Sequence, residues 1–257
     1  MTQPYYMLDF SAGCCMFQIR VNDIPVMTLD LPGQAASIVP INFGILQSGK
    51  QTITATLLPH SGQTTLDPEA LLEFDIKMFD VQNDFVFKEQ LCSYTFAKVN
   101  PDKKLPVERY RTEFIATVPY QLKGWTKGVP LKDVEDMGEK LKAAYYRIAN
   151  LIRNKHYDRF REVIHNREHI MTTSMYLDEG AAQARIEGLI DDFESGFEVA
   201  PVAENSVLQV YADGRAAALK KLNGEPALYL VNEKTKEELM IDLMFYVPEG
   251  KTEFEVI

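Results

Sequence analysis

Residues 119–130 read PYQLKGWTKGVP, and the character of the sequence changes across this stretch. Two prolines and two glycines interrupt it, with Lys123 and Lys127 between them, which is typical of a linker. Before it, short apolar segments alternate with turn residues, whereas after it apolar residues recur every three or four positions. We therefore predict a first domain at 1–120, a linker at 121–131 and a second domain at 132–257.

The first 120 residues predict an antiparallel β-sandwich. In QTITATLL (51–58), Ile53, Ala55 and Leu57 share one face and the threonines share the other, a period of two that is typical of a half-buried strand. The stretch INFGILQSGKQTITATLLP (41–59) is similar to a jelly-roll pattern that occurs in sugar-binding sandwiches and in many others. Turn residues separate the predicted strands, which are Tyr5–Phe10, Met16–Val21, Pro25–Leu29, Gln51–Leu58, Leu72–Phe79, Tyr94–Val99 and Arg109–Val118.

The second half predicts three helices followed by strands. Helices are expected over 132–153, 156–171 and 178–194, with Asp178 as the N-cap of the third. Asp213-Gly214 and Asn223-Gly224 predict hairpins in the strands that follow, because both central residues of a type I′ turn need a positive φ. These strands are Val207–Ala212, Arg215–Leu222, Ala227–Val231 and Leu239–Val247, so the fold class is α+β.

This layout resembles the NTF2-like cone superfamily over residues 132–257. The resemblance rests on helices around Tyr145–Tyr146, Tyr157–Phe160 and Ile186–Phe193 and on the hairpins VYADGRAAAL (210–219) and LNGEPALYLV (222–231). Thr172–Tyr176 would supply the strand that the family places between its second and third helices. Because the superfamily includes small isomerases and dehydratases as well as binding and dimerising domains, the resemblance implies either a pocket or a docking surface.

The composition is acidic and globular. The chain has 27 basic and 37 acidic residues, a net charge of -10, with 46% hydrophobic and 25% charged residues. Residues 1–128 carry 11 basic and 13 acidic side chains, and residues 129–257 carry 16 and 24, so the halves have net charges of -2 and -8. A nucleic-acid surface is not expected, because attraction to phosphates needs an excess of basic residues. The acidity of the second half mostly indicates solubility, and it could also attract a basic partner.

The chain is expected to be cytoplasmic. Its first residues, MTQPYYMLDF, lack the basic segment and apolar core of a signal peptide, and no apolar run of about 18 residues predicts a membrane span. Cys14, Cys15 and Cys92 lack the spacing of a metal site and predict free thiols, although a bridge from Cys14 or Cys15 to Cys92 stays open.

One short motif suggests a metal. His165, Glu168 and His169 form H-x-x-E-H, which resembles the inverzincin zinc-protease signature. The histidines fall opposite the apolar face of the second helix, and no third ligand is visible, so we expect a solvated polar face and no metal. No nucleotide-binding or hydrolase motif is present, and no cofactor is expected.

A second candidate is the isolated charge in LMIDLMFYV (239–247). If Asp242 lined a pocket of the cone, burial would raise the pKa of its carboxyl and suit it to general-base catalysis, with Tyr246 or His156 as partners. The alternative is that Asp242 points outward or pairs with a basic residue.

These observations favour a non-enzymatic interaction protein of bacterial type. It would neutralise or assemble with a basic protein partner through an acidic patch, with a homodimer favoured by the apolar strand faces of the second domain. The patch comprises Asp191, Asp192, Glu194 and Glu198. Two alternatives stay open: a small-ligand binder or enzyme that uses the C-terminal pocket, and a carbohydrate-binding sandwich, which requires surface aromatic residues grouped on one face.

Overall fold

The computed structural model describes residues 2–202 and 205–257, with the backbone alone at Leu31. The protein is α+β, with three helices and a large curled antiparallel sheet. The chain divides into two compact units, Met1–Leu122 and Lys123–Ile257. Whether each unit folds independently, with a linker at 121–131, stays a prediction.

The first unit contains a six-stranded antiparallel sheet. Its strand order is β5-β4-β1-β3-β6, and β2 pairs with β1. The strands are β1 (Pro4–Val21), β2 (Ile24–Pro40), β3 (Gly49–Leu58), β4 (Leu71–Asp80), β5 (Val86–Thr95) and β6 (Glu108–Ala116).

The long strand β1 organises this sheet. It pairs with β2 from Met7 to Val21 along one edge. Along the other edge, residues 4–13 pair with β4 and residues 16–21 pair with β3. Because β3 and β4 share one edge of a single strand, they diverge from each other, and the sheet curls around its buried face.

A local irregularity in β1 keeps both of its halves facing the core. The residues of β1 that belong to the apolar core are even-numbered before Gly13, as at Leu8, and odd-numbered after Cys14, as at Phe17. The register with β2 shifts between Gly13 and Cys15, and Cys14 has a φ of 50°. Gly13 allows a close approach here, because a Cβ would lie 3.0 Å from the side chain of Gln34 and would require that side chain to shift.

The predicted sandwich is therefore one continuous curled sheet. The strands predicted at Tyr5–Phe10 and Met16–Val21 are the two halves of β1, and β2 extends to Pro40 beyond the predicted Pro25–Leu29. A hairpin of two such long strands passes through both halves of the sheet, so it joins what would otherwise be two separate layers.

The second unit contains the three predicted helices, although the first begins at Met137 and not at 132, since Asp136 is left-handed. They are α1 (Met137–Arg153), α2 (Tyr157–Ser174) and α3 (Glu179–Glu194). The Asp178 side chain accepts a hydrogen bond from the Ala181 N–H at 2.8 Å, so the predicted N-cap is also confirmed. The strand expected at Thr172–Tyr176 is wrong, because α2 continues through Ser174.

Two small antiparallel sheets complete this unit, with strand orders β11-β10-β7 and β13-β12-β9-β8. The predicted strand Leu239–Val247 is split between these sheets. Its first residues, up to Met240, pair with β10, whereas Phe245 and Tyr246 pair with β9. The strands are β7 (Glu198–Val199), β8 (Val207–Tyr211), β9 (Ala216–Lys220), β10 (Tyr229–Asn232), β11 (Glu237–Met240), β12 (Phe245–Tyr246) and β13 (Glu255–Val256).

Tyr145 connects helix α1 to two strand segments. Its hydroxyl accepts a hydrogen bond from the Leu219 N–H at 3.0 Å and donates one to the Leu243 carbonyl at 3.1 Å. Burial raises the pKa of this phenol, so the hydroxyl stays protonated as a donor. Its ring lies 4.8 Å from that of Phe245.

The predicted linker is packed in part, since Trp125 and Leu131 are buried. All three cysteines are free, so a bridge to Cys92 is absent. Among the described residues, the helices include none that is long and apolar enough to cross a membrane.

We predict that Tyr145→Phe lowers the free energy of unfolding by about 1–3 kcal/mol, because the buried Leu219 N–H and Leu243 carbonyl lose a partner. Urea denaturation followed by circular dichroism measures the change. Tyr146→Phe is the matched control, because Tyr146 is the next residue of the same helix and is 53% exposed. Equal effects of the two substitutions would contradict the anchoring role of the Tyr145 hydroxyl.

Candidate functional site

Asp242 lies on the outside of the second unit. Its side chain is 62% exposed and its Oδ1 lies 2.6 Å from the Nζ of Lys220. The predicted alternation holds, with Ile241 and Leu243 buried on either side. The predicted general-base role therefore lacks the burial on which it rested, and the outward, paired alternative describes the observed position.

The other two catalytic candidates do not join Asp242 in a cavity. His156 is exposed just before α2, and Tyr246 is half-buried in β12 with its ring against Gly128. The region between helices and strands, where the cone pocket was expected, is filled by large buried side chains. These include Tyr145, Phe160, Phe193, Leu219, Leu228 and Phe245.

An open groove does lie on this unit, between α1, α2 and the C-terminal strand. Its floor is apolar and includes Ile148 and Phe254, while Arg147 and Arg159 line its sides. Both arginines already have acidic partners, Glu253 for Arg147 and Glu162 for Arg159. Asp242, Tyr246 and His156 are outside the groove.

The H-x-x-E-H motif divides between surface and interior. His165 and His169 are exposed, with their rings 6.4 Å apart and nearly parallel. Glu168 is buried and pairs with Arg167 and with Arg185 of α3, whose Nε lies 2.8 Å from its carboxylate. Glu168 therefore holds α2 to α3, a role that the motif did not predict. In the part of the chain that the structure describes, no group of three or more His, Cys, Asp or Glu side chains could hold a metal ion.

We predict that Glu168→Gln destabilises the protein by about 2 kcal/mol, because it leaves Arg185 without its buried counter-charge. The loss is below that of a fully buried pair, since the Arg185 side chain is partly exposed. Thermal and urea unfolding measure it, with Glu162→Gln as the control on the exposed side of α2. A control effect as large as that of Glu168→Gln would contradict this assignment.

The four predicted partner-binding acids are all exposed. Glu194 lies 4.0 Å from the ammonium group of Lys155, whereas Asp191, Asp192 and Glu198 make no ion pair among residues 2–202 and 205–257. The last turn of α3 has no basic residue, so the acids there face the negative end of the helix dipole. Their position is compatible with a basic partner and costs the helix some stability.

Sequence reasoning missed a group of aromatic side chains on the first unit. Tyr5, Phe79, Phe85 and Phe87 lie together on the outer face of β1, β4 and β5, and we call them the aromatic surface. The Phe79 ring stacks on Phe85 at 4.8 Å and meets Phe87 edge-on at 5.6 Å, while Tyr5 contacts Phe85 at 5.5 Å. Phe85 is 43% and Phe87 51% exposed, so the group presents apolar area to solvent.

The turn that presents Phe85 is strained. Asp84 and Phe85 both have a φ of 56°, in the left-handed region that a bulky residue rarely adopts. Glycine or asparagine is preferred at such positions, and a left-handed residue with a Cβ costs about 1–2 kcal/mol. The chain therefore keeps an exposed phenylalanine where its own backbone disfavours one, which makes this turn a candidate for function.

Two irregularities in β5 determine which of its side chains share this face. The register with β4 shifts between Ile76 and Lys77 and again between Met78 and Phe79. As a result Phe87 pairs with Phe79 and Gln90 pairs with Lys77, although 87 and 90 would lie on opposite faces of a regular strand. The bulges thus place Gln90 beside the aromatic surface.

A row of polar side chains adjoins the aromatic surface on the same sheet face. We call Asp9, Asp75, Lys77 and Gln90 the polar row. Lys77 Nζ lies 2.5 Å from Asp9 and 3.5 Å from Asp75, and the Gln90 amide donates to Asp75 at 3.3 Å. These mutual bonds hold the four groups in a fixed arrangement.

Asp80 anchors the hairpin that carries Phe85 and Phe87. Its buried carboxylate accepts hydrogen bonds from the Asn83 side chain at 2.6 Å and from the Gln3 N–H at 3.2 Å. Desolvation raises the pKa of this carboxyl, but the hydrogen bonds and the nearby Lys88 ammonium outweigh it and lower the pKa overall. The ionised form of Asp80 therefore stabilises the fold.

We predict that this contribution is complete above pH about 4, the unfolded-state pKa, and is lost as the pH falls through the lower folded-state value. Asp80→Asn should therefore be destabilising at pH 7 and much less so at pH 2–3. Urea unfolding across this pH range measures the difference from the wild type, with Asp84→Asn as the exposed control in the same hairpin. An effect of Asp80→Asn that is independent of pH would contradict the ionised anchor.

Comparison of the chain with protein-family models, curated protein sequences and solved structures found no match. The functional assignment therefore depends on the geometry of the chain itself.

Proposed function

We propose that this chain is a non-enzymatic binding protein that recognises its partner through the aromatic surface of the first unit. The single observation that carries the proposal is the exposure of Phe85 and Phe87 on a hairpin that holds Phe85 in a left-handed conformation. Aromatic side chains are enriched where binding energy is concentrated, because they bury a large area at low cost in side-chain entropy.

Three properties of the aromatic surface support binding over incidental exposure. The rings contact one another, so they form a continuous patch. The two bulges in β5 are of a kind that re-aims side chains at functional sites. Asp80 fixes the base of the hairpin, which reduces the ordering cost of binding.

The basic protein partner remains a second candidate. It is supported by the exposed carboxylates of Asp191, Asp192 and Glu198, which lack ion-pair partners in the described part of the chain. We retain a homodimer and a cytoplasmic location as further proposals, the latter supported by the three free thiols.

The likeness of residues 132–257 to the NTF2-like cone also stays a proposal. Three helices preceding antiparallel strands support it, whereas the filled interior does not favour a ligand pocket there. A binding role for this unit would use its outer surface.

We predict that Phe87→Ser abolishes partner capture while the fold is retained, because the Phe87 side chain is half-exposed and contributes little to the core. Phe85→Asn should do the same with a melting temperature within a few degrees of the wild type, since relief of strain offsets the lost ring contacts. The measurement is capture on the immobilised full chain from an extract of its own cells, with bound proteins, glycans and small molecules identified by mass spectrometry.

Ile115→Ser is the matched control, because Ile115 is 63% exposed on β6, at the opposite end of the strand order from β5. A molecule captured by the wild type and this control but lost from both phenylalanine variants supports the proposal. Capture of the same molecules by Phe87→Ser contradicts it. A basic protein that is lost only from Asp191→Asn/Asp192→Asn would favour the second candidate.

A further inference from the structure

We infer that the ligand of the aromatic surface is a carbohydrate, an inference that rests on the proposed binding function. A sugar ring has an apolar C–H face and an edge of hydroxyl groups, so its site needs aromatic rings beside fixed hydrogen-bonding side chains. The aromatic surface and the polar row supply these two components on one sheet face.

The aromatic component has the extent of a short oligosaccharide. Tyr5, Phe79 and Phe87 occupy one register row across β1, β4 and β5, because Tyr5 pairs with Phe79 and Phe79 with Phe87. With neighbouring strands about 4.8 Å apart, the row is about 10 Å long, which accommodates about two pyranose rings. Phe85 lies beside this row, stacked on its middle member Phe79 and in edge contact with Tyr5.

The polar row lies one register step along the strands from the row of aromatic rings. Lys77 and Gln90 are paired with each other across the strands, two positions along β4 from Phe79 and therefore about 7 Å from the aromatic row. Asp9 and Asp75 follow in the next step. Hydroxyl groups at the edge of a sugar that covers the rings would reach these side chains.

The chemistry of the polar row favours a sugar over an apolar protein surface. The carboxylates of Asp9 and Asp75 each retain acceptor capacity beyond their bonds to Lys77, and Gln90 has an amide oxygen free to accept. An apolar partner would bury this charged group without compensating hydrogen bonds, at a large desolvation cost. Sugar hydroxyls both donate and accept, so they can satisfy it.

The polar row is also organised before binding. Lys77 contacts both carboxylates, and Gln90 donates to Asp75, so each group is restrained by a neighbour. The bulges of β5 place Gln90 on the same face as Phe87, which a regular strand would not do. Few polar groups in fixed positions beside an apolar surface are what orient a small ligand.

The test uses the full chain on a glycan array, followed by calorimetry and saturation-transfer NMR with the best soluble oligosaccharide. We expect binding, with saturation transferred from aromatic protons to the C–H groups of the sugar. Phe87→Ser should weaken affinity at least about ten-fold by removing ring contact, and Asp75→Asn should weaken it about ten-fold by disturbing the polar row. Ile115→Ser should bind as the wild type does. Thermal unfolding confirms that each variant is folded.

Two outcomes overturn the inference. If neither the array nor NMR with simple oligosaccharides detects binding, the ligand is not a carbohydrate; capture of a protein that still depends on Phe87 would then leave the proposed function intact. If a glycan binds equally to the wild type, Phe87→Ser and Asp75→Asn, its site lies elsewhere on the chain. If the wild type shows neither glycan binding nor capture that depends on Phe87, the proposed function is contradicted as well.

Discussion

The first unit depends on one constraint, which is that β1 has β2 along one edge and both β3 and β4 along the other. Two strands cannot run side by side along the same stretch of one edge, so β4 takes the first half of β1 and β3 takes the second. The sheet must then curl, and its inner face becomes a closed apolar core. The change from even to odd buried positions at Gly13–Cys15 makes this possible, because it keeps both halves of β1 directed inward.

The outer face of the same strands is where a binding surface arises. On β4, Ile76 faces the core while Lys77 and Phe79 face out, so the core pairing that fixes β4 also fixes the aromatic surface. Strand β5 is an edge strand with most of its side chains exposed, whereas Leu91, Cys92 and Tyr94 pack against the core. Two bulges interrupt its pairing with β4. Their effect is to assemble Phe87 and Gln90 on one face, which is why we assign function to this surface.

The second unit is organised around a different centre. Tyr145 brings a polar hydroxyl into an apolar interior and uses it to bond the backbones at Leu219 and Leu243. Those bonds join α1 to strand β9 at Leu219 and to the segment just before β12 at Leu243. Among the described residues, large side chains occupy the space between the three helices and the strands, where a cone-type enzyme would need a cavity. Asp242, His165 and His169, which the sequence singled out in this unit, lie on its exterior.

The sequence alone determined the elements whose patterns are local. Helical periodicity located α1, α2 and α3, Asp178 marked the start of α3, and strict alternation gave β3, because these signals depend on residues within a few positions of one another. It could not give β5, since two bulges break the period of two on which strand prediction rests. For the same reason Phe79, Phe85 and Phe87 appeared as scattered aromatic residues.

Only pairing between β1, β4 and β5 brings these phenylalanines together with Tyr5 and the polar row. Likewise, only the packing of α2 against α3 decides that Glu168 is a buried anchor rather than part of a metal site. Local patterns report the secondary structure of a segment, whereas the face and neighbours of a side chain follow from contacts between segments distant in sequence.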